Sequence, residues 1–538
     1  MCGILAVIGS KDLELAKKQV QKMCHRGPDE WNVIATEEDQ ILCHQRLAII
    51  DVNTGRQPIQ GKNSSTYVIH NGEIYNHEEL RKGLIQNHTI RTQSDSEIIL
   101  HLYEERREEL LDQLDGDFAF VLVDGPKILA GRDPIGVKPL YYGKDKKGAL
   151  WFASELKALI EVCPDIQEFP PGHYFTLEKG LVRYAKYAWM DKSFTPHKSS
   201  VPLREKLEQA VQKRLMSDVP LGVLLSGGLD SSLIASIAAR EMNKHGEKIK
   251  TFCIGISTEA FDMKAARKVA QHIGSKHHEI TFTLEEGLAS LEDVIYHLES
   301  YDISTIRSGI PMYLLMKKIN SLGIKVILSG EGSDEVFGGY MYFHDAPSPM
   351  AFQHECVERL LLTHKLDILR VDKTSMAASV EVRVPFLDKV FLNTAMSLEP
   401  QLKMVIQKNA LRATFDDKIE KNVLRTAFDD KKAPYLPQEI LWRAKEQFSD
   451  GVGDSWINGL KAFAEEKITD EEFTLRARLF PYNTPDTKEA FFYRKIFEEK
   501  FSHPKANTLI LVWYPKWQKN TDPSGKVSVH HKKRGKFL

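Results

Sequence analysis

Leu221-Gly222-Val223-Leu224-Leu225-Ser226-Gly227-Gly228-Leu229-Asp230-Ser231-Ser232 decides how the larger part of this chain folds. Residues 221–225 are an unbroken apolar run and read as a buried strand; residues 230–241 read as a helix with an apolar stripe at Leu233, Ile234, Ile237 and Ala238. Between them lies a glycine-rich turn. Gly227 and Gly228 let the backbone turn sharply and bring several N–H groups to one point, and the helix N-terminus adds the positive end of its dipole. Such a turn holds an anion, and Ser226, Ser231 and Ser232 supply further donors. Asp230 is out of place beside a phosphate until a cation joins it; with Mg²⁺ its carboxylate becomes a ligand that bridges to phosphate oxygens. The lysine of G-x-x-x-x-G-K-[ST] is missing, so this is not the P-loop pattern.

Outward from this loop the same rhythm continues. Residues 249–256 and 324–328 read as further buried strands, separated by helical stretches around 265–273 and 311–320. Strand alternating with helix predicts a doubly wound parallel sheet, covered on both faces, and from about residue 351 the chain is mostly helical. The strand at 324–328 runs into Ser329-Gly330-Glu331-Gly332-Ser333-Asp334-Glu335. Three carboxylates after a glycine-rich strand exit repel one another unless a metal or a positively charged transition state sits nearby. In an open parallel sheet, ligands bind just beyond the carboxyl ends of the strands, where both loops fall.

Before residue 186 the pattern is different: many short strands mixed with helices. Strands are predicted at 3–9, 45–52, 67–70, 118–123 and 150–153, and helices at 13–24, 77–86 and 94–107. A polar stretch rich in Ser, Thr, Pro and Lys between 191 and 202 reads as a linker. The expected division is a domain over 2–185, a linker over 186–202, a second domain over 203–519 and a disordered basic tail over 520–538 with Lys532-Lys533-Arg534.

Composition narrows the class. A chain of 538 residues exceeds one ordinary core, and 42% apolar with 27% charged residues is the balance of a soluble globular protein. A net charge of -1 gives no overall pull towards nucleic acid or an anionic membrane, so neither is expected as a partner. Six scattered cysteines without a CxxC pair predict a reducing compartment, the cytosol. The apolar run at 4–8 has no basic region before it, and no stretch reaches the ~18 apolar residues that cross a bilayer. The 19 histidines include no H-E-x-x-H. His277-His278 has no ligand spacing around it, and surface or packing roles are expected for these side chains. Trp189, Trp442 and Trp456 are expected in the core.

Cys2 follows the initiator Met1 directly. With Met1 removed, one residue would carry both a thiol nucleophile and an α-amine titrating near pH ~8 as its own base.

Taken together, these features resemble the glutamine-hydrolysing asparagine synthetase family along nearly the whole chain. The further segments that carry the resemblance are Cys24-His25-Arg26-Gly27-Pro28-Asp29, Gln45-Arg46-Leu47-Ala48-Ile49-Ile50-Asp51, Asn71-Gly72-Glu73-Ile74-Tyr75-Asn76, Ser94-Asp95-Ser96-Glu97, Arg132-Asp133-Pro134-Ile135-Gly136, Glu381-Val382-Arg383-Val384-Pro385-Phe386-Leu387-Asp388 and Lys445-Glu446-Gln447-Phe448-Ser449-Asp450-Gly451-Val452-Gly453. SGGLDSS itself resembles the pyrophosphate loop of enzymes that split ATP into AMP and pyrophosphate. The resemblance implies an α/β fold in two domains: an N-terminal-nucleophile α/β/β/α sandwich, then a doubly wound parallel-sheet nucleotide-binding domain with a helical C-terminal part.

It also implies roles. Cys2 would attack the carboxamide of glutamine, with the Asn71 side chain and the Gly72 N–H holding the oxyanion. Arg46 would clamp the substrate α-carboxylate, Asp95 would pair with its α-ammonium, and Leu47, Ala48, Ile49, Ile50 and Glu73 would line the rest. In the second domain the β-carboxylate of aspartate would attack the α-phosphorus of ATP. Ser226, Gly227, Gly228, Ser231 and Ser232 would hold the phosphates, and the backbone near Leu225, Ile254, Ser329 and Gly330 would form the nucleotide pocket. Mg²⁺ would sit on Asp230 and Asp334. Glu331 would accept a proton from attacking ammonia, and Lys445 would neutralise charge at phosphorus. Residues 132–142 resemble the family's domain interface, where ammonia would pass. For Arg383, orienting a carboxylate and forming a structural ion pair both stay open, as does a homodimer.

Other readings differ at named residues. A β-lactam-forming synthetase of similar architecture would lack a working glutaminase nucleophile, and the intact set Cys2, Arg46, Asn71 and Asp95 speaks against it. An amidotransferase sharing only the first domain, such as a glucosamine-phosphate synthase, would lack the ATP loops. A non-enzymatic paralogue would have lost Glu331, Asp230 or Cys2.

Overall fold

The computed structural model describes residues 2–191, 193–404, 419–445 and 448–518. The basic tail predicted over 520–538 lies outside the described residues.

Two six-stranded sheets built from antiparallel pairings occupy the N-terminal part. In the first, strand Gly3–Ile8 lies between Gln40–Arg46 and Leu150–Ala153. In the second, Gly116–Asp124 lies between Thr66–Ile74 and Lys127–Arg132. Period-2 alternation sorts each strand's side chains between two faces. Ile4 and Ala6 meet Ala119, Val121 and Val123 between the sheets. Leu5 and Val7 turn instead to the helix Leu13–Gln21, and Phe118, Phe120 and Leu122 to the helix Glu97–Arg106. The result is a helix–sheet–sheet–helix sandwich.

The later part carries a five-stranded, all-parallel sheet in the order Lys276–Thr281, Lys250–Gly255, Leu221–Leu224, Val326–Leu328, Glu381–Arg383. Chain order reverses at Leu221–Leu224: the next two strands are added on one side of it and the last two on the other. The glycine-rich loops after Leu224 and Leu328 therefore leave neighbouring strand ends at the switch point, where such sheets bind ligands.

Three expectations need correction. The strand predicted at 45–52 ends at Arg46 and begins at Gln40. Residues 47–50 leave the sheet, and Leu47 and Ile49 are buried against Val326 and Met376. Their apolarity thus serves contact with the parallel-sheet part. The helix predicted at 311–320 is Ile303–Ser321 with Pro311 inside it. A proline there leaves the carbonyl four residues earlier without its helical donor; the indole Nε1–H of Trp456 donates to that carbonyl, on Arg307, at 2.8 Å. Trp456→Phe is expected to cost about 1–3 kcal/mol by stranding a buried acceptor, as read from denaturant unfolding. An unchanged midpoint would disprove the pairing's worth. Trp189 and Trp456 are buried as expected, but Trp442 is exposed.

Candidate functional site

Cys2 stands at the buried start of strand Gly3–Ile8. Its backbone N–H donates to Asn71 Oδ1 at 2.9 Å, from one sheet to the other. That bond fixes the amide so that Asn71 Nδ2 is buried with no hydrogen-bond partner among the described residues. An orphaned buried donor beside a thiol is what a developing oxyanion needs. Gly72, the next residue, has φ 144°, and a Cβ there would stand 2.0 Å from the Asp117 carbonyl oxygen and 2.7 Å from Phe118 Cα. Only glycine fits. The Cys2 carbonyl accepts from Arg26 Nε at 3.0 Å. Burial pushes the thiol pKa up, against the pull of the Leu47 N–H and the Arg46 charge, and burial prevails. The thiol keeps its proton at neutral pH until a base removes it.

Around this point the loop after Arg46 is braced by its own backbone. Arg46 donates to the carbonyls of Asp51 (2.6 Å) and Val52 (3.1 Å), the Ala48 N–H donates to Asp29 (2.7 Å), and the Ile49 carbonyl accepts from the Asp218 N–H (3.1 Å). Ile50 packs partly buried beside Leu47 and Ile49. Asp95 Oδ2 accepts the Ile74 N–H at 2.8 Å. Glu73 is buried; its carboxyl is pushed well up by that burial and by Glu381 nearby, against Arg383. Arg383 pairs with Glu381 (2.6 Å) and Glu73 (3.3 Å) and donates to the carbonyls of Arg214 and Met216. Its contacts are those of a structural ion pair.

At the switch point the two loops touch backbone to backbone. Gly227 has φ 73°, and a Cβ on it would lie 2.4 Å from Ala266 N; one on Gly330 would lie 2.6 Å from Ser231 N. The Ser226 N–H donates to Ser231 Oγ at 3.2 Å, and Ser333 Oγ donates to Asp230 Oδ1 at 2.7 Å. Ser232 Oγ is buried without a partner among the described residues. The cleft between the loops is lined by Leu225, Gly228, Ile254, Ser329, Glu331 and Lys445 among others.

Sequence reasoning missed the charge at its centre. Lys421, fully buried, stands 2.6 Å from Asp230 Oδ2 and 2.5 Å from Asp334 Oδ1, and Lys445 Nζ lies 2.6 Å from Asp334 Oδ2. Burial raises the Asp334 pKa, but the two ammonium groups outweigh it and hold the carboxyl well below the usual range. The carboxylates in turn raise Lys445 against its own burial. Asp230 and Asp334 converge on one cationic position with hard oxygen donors, a set that suits Mg²⁺. Arg370, also unforeseen, pairs with Glu331 at 2.9 Å. Burial still raises the Glu331 carboxyl despite Arg370. The one signal that could have pointed to Lys421 is charge balance, since Lys445 alone cannot offset two acidic strand exits.

Behind the cleft, Glu335 accepts from the Tyr340 hydroxyl at 2.5 Å, and burial with Asp367 nearby pushes its carboxyl up to about 8. A carboxyl raised above its unfolded value of ~4.3 stabilises the fold fully below that value and loses the contribution as pH rises through about 8. The melting temperature of the protein is therefore expected to fall more steeply than that of Glu335→Gln from about pH 5 to about pH 8. Parallel profiles would remove Glu335 as the cause.

Residues 1–177 match the glutamine amidotransferase domain family, and residues 202–351 and 346–522 match the asparagine synthase family. The chain is 47% identical to "Asparagine synthetase [glutamine-hydrolyzing]" of Zea mays, over 99% of this chain and 94% of the relative. It is 48% identical to "Probable asparagine synthetase [glutamine-hydrolyzing]" of Dictyostelium discoideum, over 99% of both. Identity to "Asparagine synthetase [glutamine-hydrolyzing] 2" of Arabidopsis thaliana is also 48%, over 98% of this chain and 95% of the relative. With both domain families matched and near-full-length identity of this order, the chain belongs to the glutamine-hydrolysing asparagine synthetase family.

Proposed function

We propose that this protein is an ATP-dependent carbon–nitrogen ligase that makes asparagine from aspartate with nitrogen taken from glutamine. The proposed division is a glutaminase domain over 2–185 and a synthetase domain over 203–519, joined by 186–202. The observation that carries the reading is the Asn71 amide. Its oxygen is engaged by Cys2 N, and its nitrogen is buried beside that residue with no hydrogen-bond partner among the described residues.

In the first site, a free Cys2 amine takes the thiol proton, and the thiolate attacks the glutamine carboxamide. Asn71 Nδ2 and the Gly72 N–H donate to the oxyanion, and losing one such donor typically costs about 3 kcal/mol of barrier. Arg46 and Asp95 face the substrate's α-carboxylate and α-ammonium, with Leu47 to Ile50 and Glu73 around them. Ammonia leaves, and water hydrolyses the Cys2 thioester to glutamate.

In the second site, Ser226, Gly227, Gly228, Ser231 and Ser232 bind the pyrophosphate portion of ATP, and Leu225, Ile254, Ser329 and Gly330 line the nucleotide. Asp230 and Asp334 would hold Mg²⁺, which supplies charge neutralisation to the phosphates when bound. The β-carboxylate of aspartate displaces pyrophosphate, and Lys445 and Lys421 carry positive charge to the developing negative charge. Ammonia then displaces AMP, with Glu331 taking a proton from the incoming nitrogen.

Incubation with ATP, Mg²⁺, aspartate and glutamine is expected to yield asparagine, glutamate, AMP and pyrophosphate, identified by mass spectrometry. ADP in place of AMP would overturn the proposal.

A further inference from the structure

We propose that His88, His101 and Glu104 form a binding site for one divalent transition-metal ion of the zinc class, on the outer helical layer of the N-terminal sandwich and apart from both sites above. His101 and Glu104 lie one turn apart on helix Glu97–Arg106, and His88 lies in the turn that follows helix His77–Leu84. One ligand atom from each of the three falls within 4.8 Å of the others.

Carboxylates outside the cluster set the tautomers. Buried Glu97 accepts from the Arg91 and Thr92 N–H groups at 2.9 and 2.7 Å and from the Thr92 hydroxyl at 2.7 Å. With three donors already on the carboxylate, its Oε1 also faces His101 Nε2 at 3.3 Å and accepts that N–H. That leaves a lone pair on His101 Nδ1, a buried atom with no hydrogen-bond partner among the described residues, on a residue only 3% exposed. Glu105 Oε1 sits 3.0 Å from His88 Nε2 and fixes that ring in the same way. Both rings thus offer Nδ1 inward, each with Nε2 anchored to a carboxylate, the outer-sphere arrangement usual for metal-binding histidines.

Inside the cluster, Glu104 Oε2 lies 3.0 Å from His88 Nδ1 and 3.6 Å from His101 Nδ1. Two ring nitrogens and a carboxylate oxygen thus converge on one point, where a shared cation would satisfy all three. With metal–ligand bonds of ~2.0–2.1 Å, the edges of a tetrahedron around zinc are about 3.3 Å, so the two spacings suit a shared ion. Two imidazoles and one carboxylate favour zinc or cobalt over magnesium or calcium, and a water would complete the fourth position. Binding would clamp the turn at His88 to the helix.

The test uses the full-length protein, freed of metal by a chelator and dialysed. Titration with Co²⁺ is expected to give visible d–d absorption that saturates at one ion per chain and is displaced by Zn²⁺ but not by excess Mg²⁺. Glu105→Gln, which touches no ligand atom, is expected to weaken Zn²⁺ binding by about 10–100-fold. His88→Gln is expected to abolish the absorption, with its melting temperature in the absence of metal serving as the folding control. No d–d absorption in the wild type would mean that the cluster holds only a shared proton and would overturn the proposal. Affinity unchanged in both variants would overturn it equally.

Discussion

Cys2→Ala is expected to abolish glutamine-dependent asparagine formation, by more than about 10⁴-fold, the scale of loss when a covalent nucleophile is removed. Formation from added ammonia continues near the wild-type rate. The expectation rests on separation: the Cys2 thiol meets the Leu47 N–H and its backbone N–H meets Asn71, whereas the second cleft is built from the loops after Leu224 and Leu328 and from Lys421 and Lys445. Alanine keeps the backbone N–H that bonds Asn71 and deletes only the sulfur. The paired assay is asparagine output with glutamine and then with ammonium salt as nitrogen source. Loss of both outputs would refute two separate centres. Retention of Met1 should mimic the variant, because the base would then be an amide nitrogen.

Lys421→Ala has the opposite signature. Asp230 and Asp334 would face each other in a buried cleft with their shared ammonium gone. Removing one partner of such a set typically costs 3–5 kcal/mol, and removing a charge aimed at the reacting phosphates slows chemistry by about 10²–10³-fold. AMP and pyrophosphate formation should fall on that scale with either nitrogen source, while glutamine hydrolysis persists and reports an intact fold. Asparagine synthesis within tenfold of wild type would sink Lys421's role.

What could be read from the sequence follows from how local each cause is. The two switch-point loops were legible because glycines and a strand-to-helix change force the backbone within a dozen residues. The sandwich strands at 118–123 and 150–153 were legible for a similar reason, a local apolar run. Residues 47–50 read as strand in sequence because their apolar surface is covered by Val326 and Met376, which no window around them contains. Pro311 reads as a helix start in sequence because the donor that rescues the Arg307 carbonyl comes from Trp456, far along the chain. Lys421 carries no local pattern at all; its meaning comes from two carboxylates on other elements. His88 and His101 carry no local signal for the same reason, since their closeness is made by packing and not by spacing.

The carbonyl of Cys2 rests on Arg26, and that guanidinium is gripped by Glu155 at 3.0 Å and by Asp372 at 2.8 Å, the latter from the parallel-sheet part of the chain. A fragment cut after residue 177 would keep every group proposed to bind glutamine yet lose one arm of that brace. Grafting the amide-cleaving half onto a foreign partner thus calls for an aspartate supplied by the host at the seam.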